Sequence, residues 1–159
     1  MVKKIMWVGA SSGGHMTQLL TLLEYSQDWS IKPTVFITTN NVMVEKLKRY
    51  GEAKNIGECN RKSLIDIIAV MVKSLSIILN INKNNKPDVI LTTGSLPLAI
   101  FCHIARLRGA KIIWIDSIAN VDDISMSGKM MRPFVDLFIV QWDELLSKYS
   151  NIEYVGEII

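Results

Sequence analysis

The segment from Gly9 to His15 concentrates residues that could bind a ligand or move a proton. It reads Gly-Ala-Ser-Ser-Gly-Gly-His and lies between an apolar run and a helical pattern. Glycines let the backbone approach a ligand, and free N–H groups at a helix start favour an anion such as phosphate. A tight turn without a ligand is the alternative. The residues predicted to bind here are Ser11, Ser12, Gly13 and Gly14.

The spacing of this loop argues against two common phosphate-binding motifs. Gly9 and Gly14 have the separation of a nucleotide-triphosphate loop, but His15 follows where that loop has its phosphate-binding lysine. Ser11 stands where a dinucleotide-binding fingerprint has its second glycine. Both an NTPase and an NAD-dependent enzyme are therefore disfavoured, and no cofactor is expected.

His15 has three possible roles. A histidine has a reference pKa of about 6.5 and can act as a base near neutral pH. It can equally bind a ligand without proton transfer, or hold the helix start by packing and hydrogen bonding. Its position in the sequence does not choose among these roles. His103, within an apolar helical pattern, is interpreted as a core or groove residue.

Two further junctions release polar side chains where a strand ends. Thr93, Gly94 and Ser95 follow the run Val89 to Thr92, and Ser95 could simply cap the next helix. The junction after the run Ile112 to Ile115 supplies a carboxylate that could be an acid, a ligand anchor or a cap. Its candidate residues are Asp116, Ser117 and Asn120.

Composition narrows the class of protein. The chain has 159 residues, 49% hydrophobic and 21% charged, which fits one globular domain. Its net charge of +3 is spread over short clusters, so nucleic acid is not an expected partner. Cys59 and Cys102 stand apart without metal-ligand spacing, so no metal site is expected and a reducing cytoplasm fits best. The N-terminal apolar run is too short for a signal peptide and is interpreted as a strand.

Strand-like and helical patterns alternate along the chain. Continuous apolar strands separated by helices predict a parallel sheet covered on both faces. We therefore expect residues 1–159 to form one doubly wound α/β domain of Rossmann type. The predicted strands are Ile5 to Val8, Val35 to Thr38, Val89 to Thr92, Ile112 to Ile115 and Leu137 to Val140. The predicted helices are His15 to Ser26, Val42 to Tyr50, Ser63 to Asn82, Leu96 to Leu107, Gly128 to Phe134 and Asp143 to Tyr149.

Two segments carry more apolar residues than a solvent-facing periphery needs. The pattern from Lys62 to Lys83 has one narrow polar stripe and is apolar elsewhere. It could be buried between neighbours, contact a partner, or lie on a membrane surface, but Asp66 and Lys73 interrupt it too early for a membrane span. The segment Trp142 to Ile159 is similarly apolar and is predicted to dock on a partner.

Several motifs in the same order carry a family resemblance. They are GASSGGH, KPDVILTTGSLP, KIIWIDSIA, SGKMMRPFVDLFIVQWDELLSKY and EYVGEII. Over Lys3 to Ile159 the chain resembles bacterial relatives of the asparagine-linked-glycosylation-fourteen family, including PssD-type and CpsF-type proteins of polysaccharide synthesis. The glycine loop alone is also similar to that of MurG.

The resemblance implies the acceptor-binding, N-terminal half of a GT-B glycosyltransferase, peripheral on the cytoplasmic face of the inner membrane. A separate small catalytic subunit would bind the UDP-sugar donor, and this half would hold a lipid-linked sugar acceptor. It implies that His15 assists deprotonation of the acceptor hydroxyl and that the three junctions line the cleft. Relatives commonly have Glu at the position of Asp116 and Arg at that of Asn120, so the acceptor's identity stays open.

Two other functions remain alternatives. The chain could be a scaffold subunit that only recruits and stabilises its partner, without a catalytic residue. A free-standing sugar-nucleotide enzyme such as an epimerase is the third hypothesis, and the missing dinucleotide fingerprint argues against it.

Overall fold

The computed structural model describes residues 4–82 and 85–158. Seven strands alternate with five α-helices. The strands are β1 (Met6–Gly9), β2 (Pro33–Thr38), β3 (Glu52–Asn55), β4 (Val89–Thr92), β5 (Lys111–Ile115), β6 (Leu137–Val140) and β7 (Glu153–Tyr154). The helices are α1 (Gly14–Glu24), α2 (Asn41–Leu47), α3 (Leu64–Leu79), α4 (Leu96–Leu107) and α5 (Met126–Met131), and short 3₁₀ turns include Ser26–Asp28, Arg132–Phe134 and Asp143–Ser147.

All seven strands form one parallel sheet in the order β3-β2-β1-β4-β5-β6-β7. The chain starts in the middle at β1, builds outwards to β3, returns to β4 and builds outwards in the other direction. The order therefore reverses between β1 and β4, which is where open α/β sheets bind ligands. The predicted doubly wound α/β fold is confirmed.

Two apolar cores hold the layers together, one on each face of the sheet. Successive strand residues point to opposite faces, so Trp7 packs in the larger core and Val8 in the smaller one. The larger core contains residues of α3, α4 and α5, and the smaller one contains residues of α1 and α2. Gly9 belongs to this packing, because a Cβ there would come within 2.6 Å of Leu98 on α4.

The sequence patterns missed two strands and mistook one helix. β3 has the sequence EAKN, which contains no apolar run. Three of its four residues are only half-buried, and Glu52 is exposed. β7 is two residues long. The predicted helix Asp143 to Tyr149 is instead a 3₁₀ turn over Asp143–Ser147.

Helix α3 is largely exposed, so the alternative of a helix buried between neighbours is wrong. Only Val70, Ser74 and Ile78 are buried along its length. Seven large apolar side chains are exposed: Leu64, Ile65, Ile68, Met71, Val72, Leu75 and Leu79. The predicted polar stripe extended to Lys83, which lies outside the described residues. In the C-terminal segment Leu145 is buried, whereas Leu146, Tyr154 and Val155 are exposed.

Candidate functional site

A cleft of about 530 Å³ lies at the carboxyl ends of the strands, beside the β1–β4 reversal. Its size suits a small-molecule ligand. Six of the predicted residues line it: Ser11, Ser12, His15, Ser95, Ser117 and Asn120. The other predicted residues, Gly13, Gly14, Thr93, Gly94 and Asp116, lie around the cleft without forming its lining.

The two helix starts beside the β1–β4 reversal have no side-chain caps. Helix α1 begins after Gly13, whose φ is 81°, and no side chain accepts a hydrogen bond from its first turn. Helix α4 begins after Ser95, also without a side-chain cap. Free N–H groups and the positive end of the helix dipole favour an anion at such starts. Two neighbouring helices thus present an anion-binding environment to one cleft, with fewer N–H donors at α4, because Pro97 in its first turn has none.

Ser95 is held in a conformation that L-residues rarely adopt. Its φ is 99° and its ψ is 159°, a region otherwise used almost only by glycine, at a cost of about 1–3 kcal/mol. Its Oγ is buried without a hydrogen-bond partner among the described residues. The alternative that Ser95 caps α4 through its side chain is therefore wrong, because its hydroxyl accepts no hydrogen bond from the first turn.

His15 and Thr93 hold each other by two hydrogen bonds. His15 Nδ1 lies 2.6 Å from the Thr93 carbonyl oxygen, and the Thr93 hydroxyl donates to the His15 carbonyl over 2.8 Å. A carbonyl oxygen only accepts, so Nδ1 carries the proton. In the neutral ring Nε2 is then the free proton acceptor. Thr93 is fully buried, so its contact with His15 comes from beneath the cleft.

Gly94 makes room for the imidazole. Its φ is 103°, and a Cβ there would lie 3.4 Å from His15 Cε1 and 3.2 Å from the Trp114 ring. The backbone conformation and the close packing both require glycine. The role of Thr93 and Gly94 in this geometry is to place His15, and their predicted direct contact with an acceptor stays a prediction.

The Asp116 carboxylate holds one wall of the cleft in place by hydrogen bonds to Ser125. It is 2% exposed and accepts from the Ser125 backbone N–H at 2.7 Å and from the Ser125 hydroxyl at 2.5 Å. Ser125 in turn accepts from Gly128 N–H and caps α5. Asn120 Nδ2 lies 3.5 Å from the same carboxylate. Asp116 thereby positions the segment that carries Ser117, Asn120 and Ser125 into the cleft.

Sequence reasoning missed the cleft residues that follow β2 and β3 and those at the start of α5. They are Thr39, Glu58, Cys59, Arg61, Ser125, Met126 and Ser127, with Leu96, Pro97 and Ala119 completing the lining. The signal for the β3 group is topological. Since the strands are parallel, whatever follows the end of β3 reaches the same edge of the sheet as the three predicted junctions. Without β3, no pattern placed Glu58 or Arg61 there.

Neither thiol is activated. Burial, followed by the negative charge of Asp66, raises the pKa of Cys59. Burial alone raises the pKa of Cys102 to about 12. Thiolates are the reactive form, so a cysteine nucleophile is not supported. Within residues 4–82 and 85–158, no group of three metal-ligating side chains comes together.

Relatives align with this chain over most of its length. A family model described as "Oligosaccharide biosynthesis protein Alg14 like" matches residues 6–158. The Schizosaccharomyces pombe protein "UDP-N-acetylglucosamine transferase subunit alg14" is 29% identical, covering 97% of this chain and 83% of the relative. The Mus musculus "UDP-N-acetylglucosamine transferase subunit ALG14" is 27% identical, covering 94% of this chain and 81% of that protein.

Solved structures share the fold. The crystal structure of Acinetobacter baumannii MurG superposes with a TM-score of 0.74 at 13% identity, covering 97% of this chain and 45% of MurG. A glycosyltransferase from Rickettsia africae ESF-5 has a TM-score of 0.62 at 16% identity, with 96% of this chain and 43% of that protein covered. The chain thus spans less than half the length of either structure.

Proposed function

The chain belongs to the family of Alg14-like oligosaccharide biosynthesis proteins, and from that premise we propose that it is the acceptor-binding subunit of a two-protein UDP-sugar glycosyltransferase. Its acceptor is a sugar linked to a lipid through a diphosphate. The curated relatives are named as subunits of a UDP-N-acetylglucosamine transferase, which makes UDP-N-acetylglucosamine the first donor to test.

The observation that carries this proposal is the convergence of an anion-binding environment and a proton acceptor in one cleft. Two uncapped helix starts suit a diphosphate. His15 Nε2 is free because Nδ1 is bound to the Thr93 carbonyl. Diphosphate recognition beside a base is what transfer to a lipid-diphosphate sugar requires.

The proposed step is a transfer of a sugar to an acceptor hydroxyl. His15 Nε2 takes the hydroxyl proton as the acceptor oxygen forms a bond to the anomeric carbon of the donor. The bond from that carbon to the UDP phosphate oxygen breaks, and its electron pair leaves with UDP. General-base assistance of this kind contributes on the order of 10²–10⁴ in rate.

A partner subunit supplies the donor site in this proposal. One such domain does not enclose a UDP-sugar on two sides, and enclosure is what excludes water from an activated donor. We expect the partner to approach over the carboxyl edge of the sheet and to contact the C-terminal segment, where Leu146, Tyr154 and Val155 are exposed. Deleting residues 154–159 should abolish co-purification of the two proteins.

Helix α3 supports contact with a membrane surface. Within the described chain no helix has the length and apolar character needed to cross a bilayer. The exposed apolar side chains of α3 instead suit a helix lying in the interface, and Lys62 and Lys73 are exposed beside them. Each basic residue near an anionic leaflet adds about 1 kcal/mol. The start of α3 adjoins the cleft through Arg61, so a lipid-linked acceptor would reach the cleft from that side.

The central experiment is transfer by the co-purified pair, with UDP-N-acetylglucosamine and a lipid-diphosphate sugar. We expect no transfer by this chain alone and a loss of about 10²-fold or more in kcat for the His15→Ala pair, with complex formation intact. Full turnover by the His15→Ala pair would instead favour the scaffold function. Transfer by the isolated chain would contradict the two-protein proposal.

Liposome flotation tests the membrane contact. Ile68→Glu with Leu75→Glu should abolish binding to vesicles containing phosphatidylglycerol and leave the partner bound. Leu107→Glu is the matched control, because Leu107 is 87% exposed but lies on α4. If the α3 variant is folded by circular dichroism and still floats, the membrane contact is refuted.

A further inference from the structure

Arg61 is the one permanently charged cation among the described residues that line the cleft. It lies in a turn fixed by three backbone donors. Ser63 N–H donates to the Asn60 carbonyl at 2.9 Å, Lys62 N–H to the Asn60 side chain at 3.0 Å, and Asn60 N–H to Asp66 at 3.2 Å. This turn precedes α3, so Arg61 stands where the cleft meets the apolar helix.

The guanidinium of Arg61 has no anionic partner in the described part of the chain. None of the ion pairs found there includes it. Its Nη1 lies 3.5 Å from the Met126 sulfur, which is only a weak acceptor. Glu58, the carboxylate that also lines the cleft, accepts from Ser12 and Asn40 and forms no ion pair with Arg61. A guanidinium with unused donors facing a cleft is suited to a phosphate.

We propose that Arg61 binds the diphosphate of the lipid-linked acceptor and thereby orients it. The assignment rests on the proposed function. With the diphosphate held between Arg61 and the open starts of α1 and α4, the lipid chain leaves the cleft along the exposed apolar residues at the start of α3, where Leu64 and Ile65 are 75% and 80% exposed. The sugar then extends inwards to His15.

Binding of farnesyl diphosphate to the full chain, measured by calorimetry, tests the contact without the partner. Arg61→Gln should weaken this binding about tenfold or more, since hydrogen bonds to charged groups are the strong ones. Arg61→Lys should recover part of the affinity, because it restores charge without the planar fork. Lys46→Gln is the matched control: it removes the same charge at an exposed position on α2, outside the cleft lining, and should bind as the wild type does. Equal affinity of the wild type and Arg61→Gln would overturn the proposal, as would undetectable binding by the wild type.

Kinetics of the co-purified pair distinguish the two sources of a diphosphate. Arg61→Gln should raise the KM for the lipid-linked acceptor and leave the KM for the UDP-sugar unchanged. A rise confined to the UDP-sugar would assign Arg61 to the donor and overturn the proposal. Loss of flotation with phosphatidylglycerol vesicles at unchanged farnesyl diphosphate affinity would assign it to a lipid headgroup, also overturning it. A wild-type pair that transfers no sugar would refute the proposed function itself, whereas a normal wild-type rate with an unaffected Arg61→Gln pair would refute only this assignment.

Discussion

The helices of this protein begin in two different ways. At α2, α3 and α5 a side chain accepts a hydrogen bond from the first turn, supplied by Asn40, Ser63 and Ser125. At α1 and α4, which follow the neighbouring central strands β1 and β4, no side chain does so. A missing cap leaves N–H groups without an internal partner. The contrast teaches that the domain completes its outer helix starts with side chains and leaves open the two that follow the central strands β1 and β4, where the order of the sheet reverses and a ligand is proposed.

The largest expected effect comes from adding a side chain at the uncapped start of α1. Gly14→Val places a branched side chain at the beginning of α1, where a Cβ would have no heavy atom within 4 Å. The folded protein can therefore accept it, but the space beside the free N–H groups is reduced. We expect affinity for farnesyl diphosphate to fall about tenfold or more, with little change in the melting temperature. Thr17→Val, on the exposed face of the same helix, is the control. Unfolding of Gly14→Val with normal affinity in the remaining folded fraction would make the loop purely structural.

The difference between capped and uncapped helix starts predicts that replacement by alanine has different effects at Asn40 and at Ser95. Asn40→Ala removes a cap from α2 and should lower the free energy of unfolding by about 1 kcal/mol. Ser95→Ala removes a hydroxyl that caps nothing, so stability should be unchanged while farnesyl diphosphate affinity falls. Urea unfolding and calorimetry on both variants measure these quantities. Equal destabilisation by the two would remove the distinction between the two kinds of helix start.

The smallest expected effect is a gain in stability. Ser95→Gly relieves the positive φ of Ser95, which costs about 1–3 kcal/mol, while glycine's extra freedom in the unfolded chain returns part of that. A net stabilisation of about 0.5–1 kcal/mol should appear in urea unfolding, together with the weaker ligand affinity of Ser95→Ala. A destabilised glycine variant would show that the serine conformation is not strained.

The central part of the fold could be predicted because its strands are apolar on both faces. β1, β2, β4, β5 and β6 all have that pattern, and the strand-to-helix junctions follow directly from it. β3 could not be recognised, since an edge strand with Glu52 and Lys54 pairs through its backbone on one side only and needs no apolar run. β7 is too short to have a pattern.

The same physical reason explains which parts of the cleft were foreseen. His15, Ser95 and Asn120 follow recognisable strands or lie close behind them. Arg61 and Glu58 follow β3, so the missed strand hid them. Ser95's strain could not be predicted either, because a Ser before Leu-Pro also fits an ordinary cap and only its backbone angles tell the two apart.

The Thr93 carbonyl that accepts from His15 Nδ1 affects how this histidine would return to its neutral form between turnovers. In many hydrolases a carboxylate stands behind the catalytic histidine and stabilises its cationic form. Here the group behind the ring is a neutral carbonyl, which neither takes a proton nor compensates a full positive charge. A proton taken up at Nε2 therefore has one route out, back through the cleft. In the proposed reaction, product and proton would therefore leave His15 through the same side of the cleft.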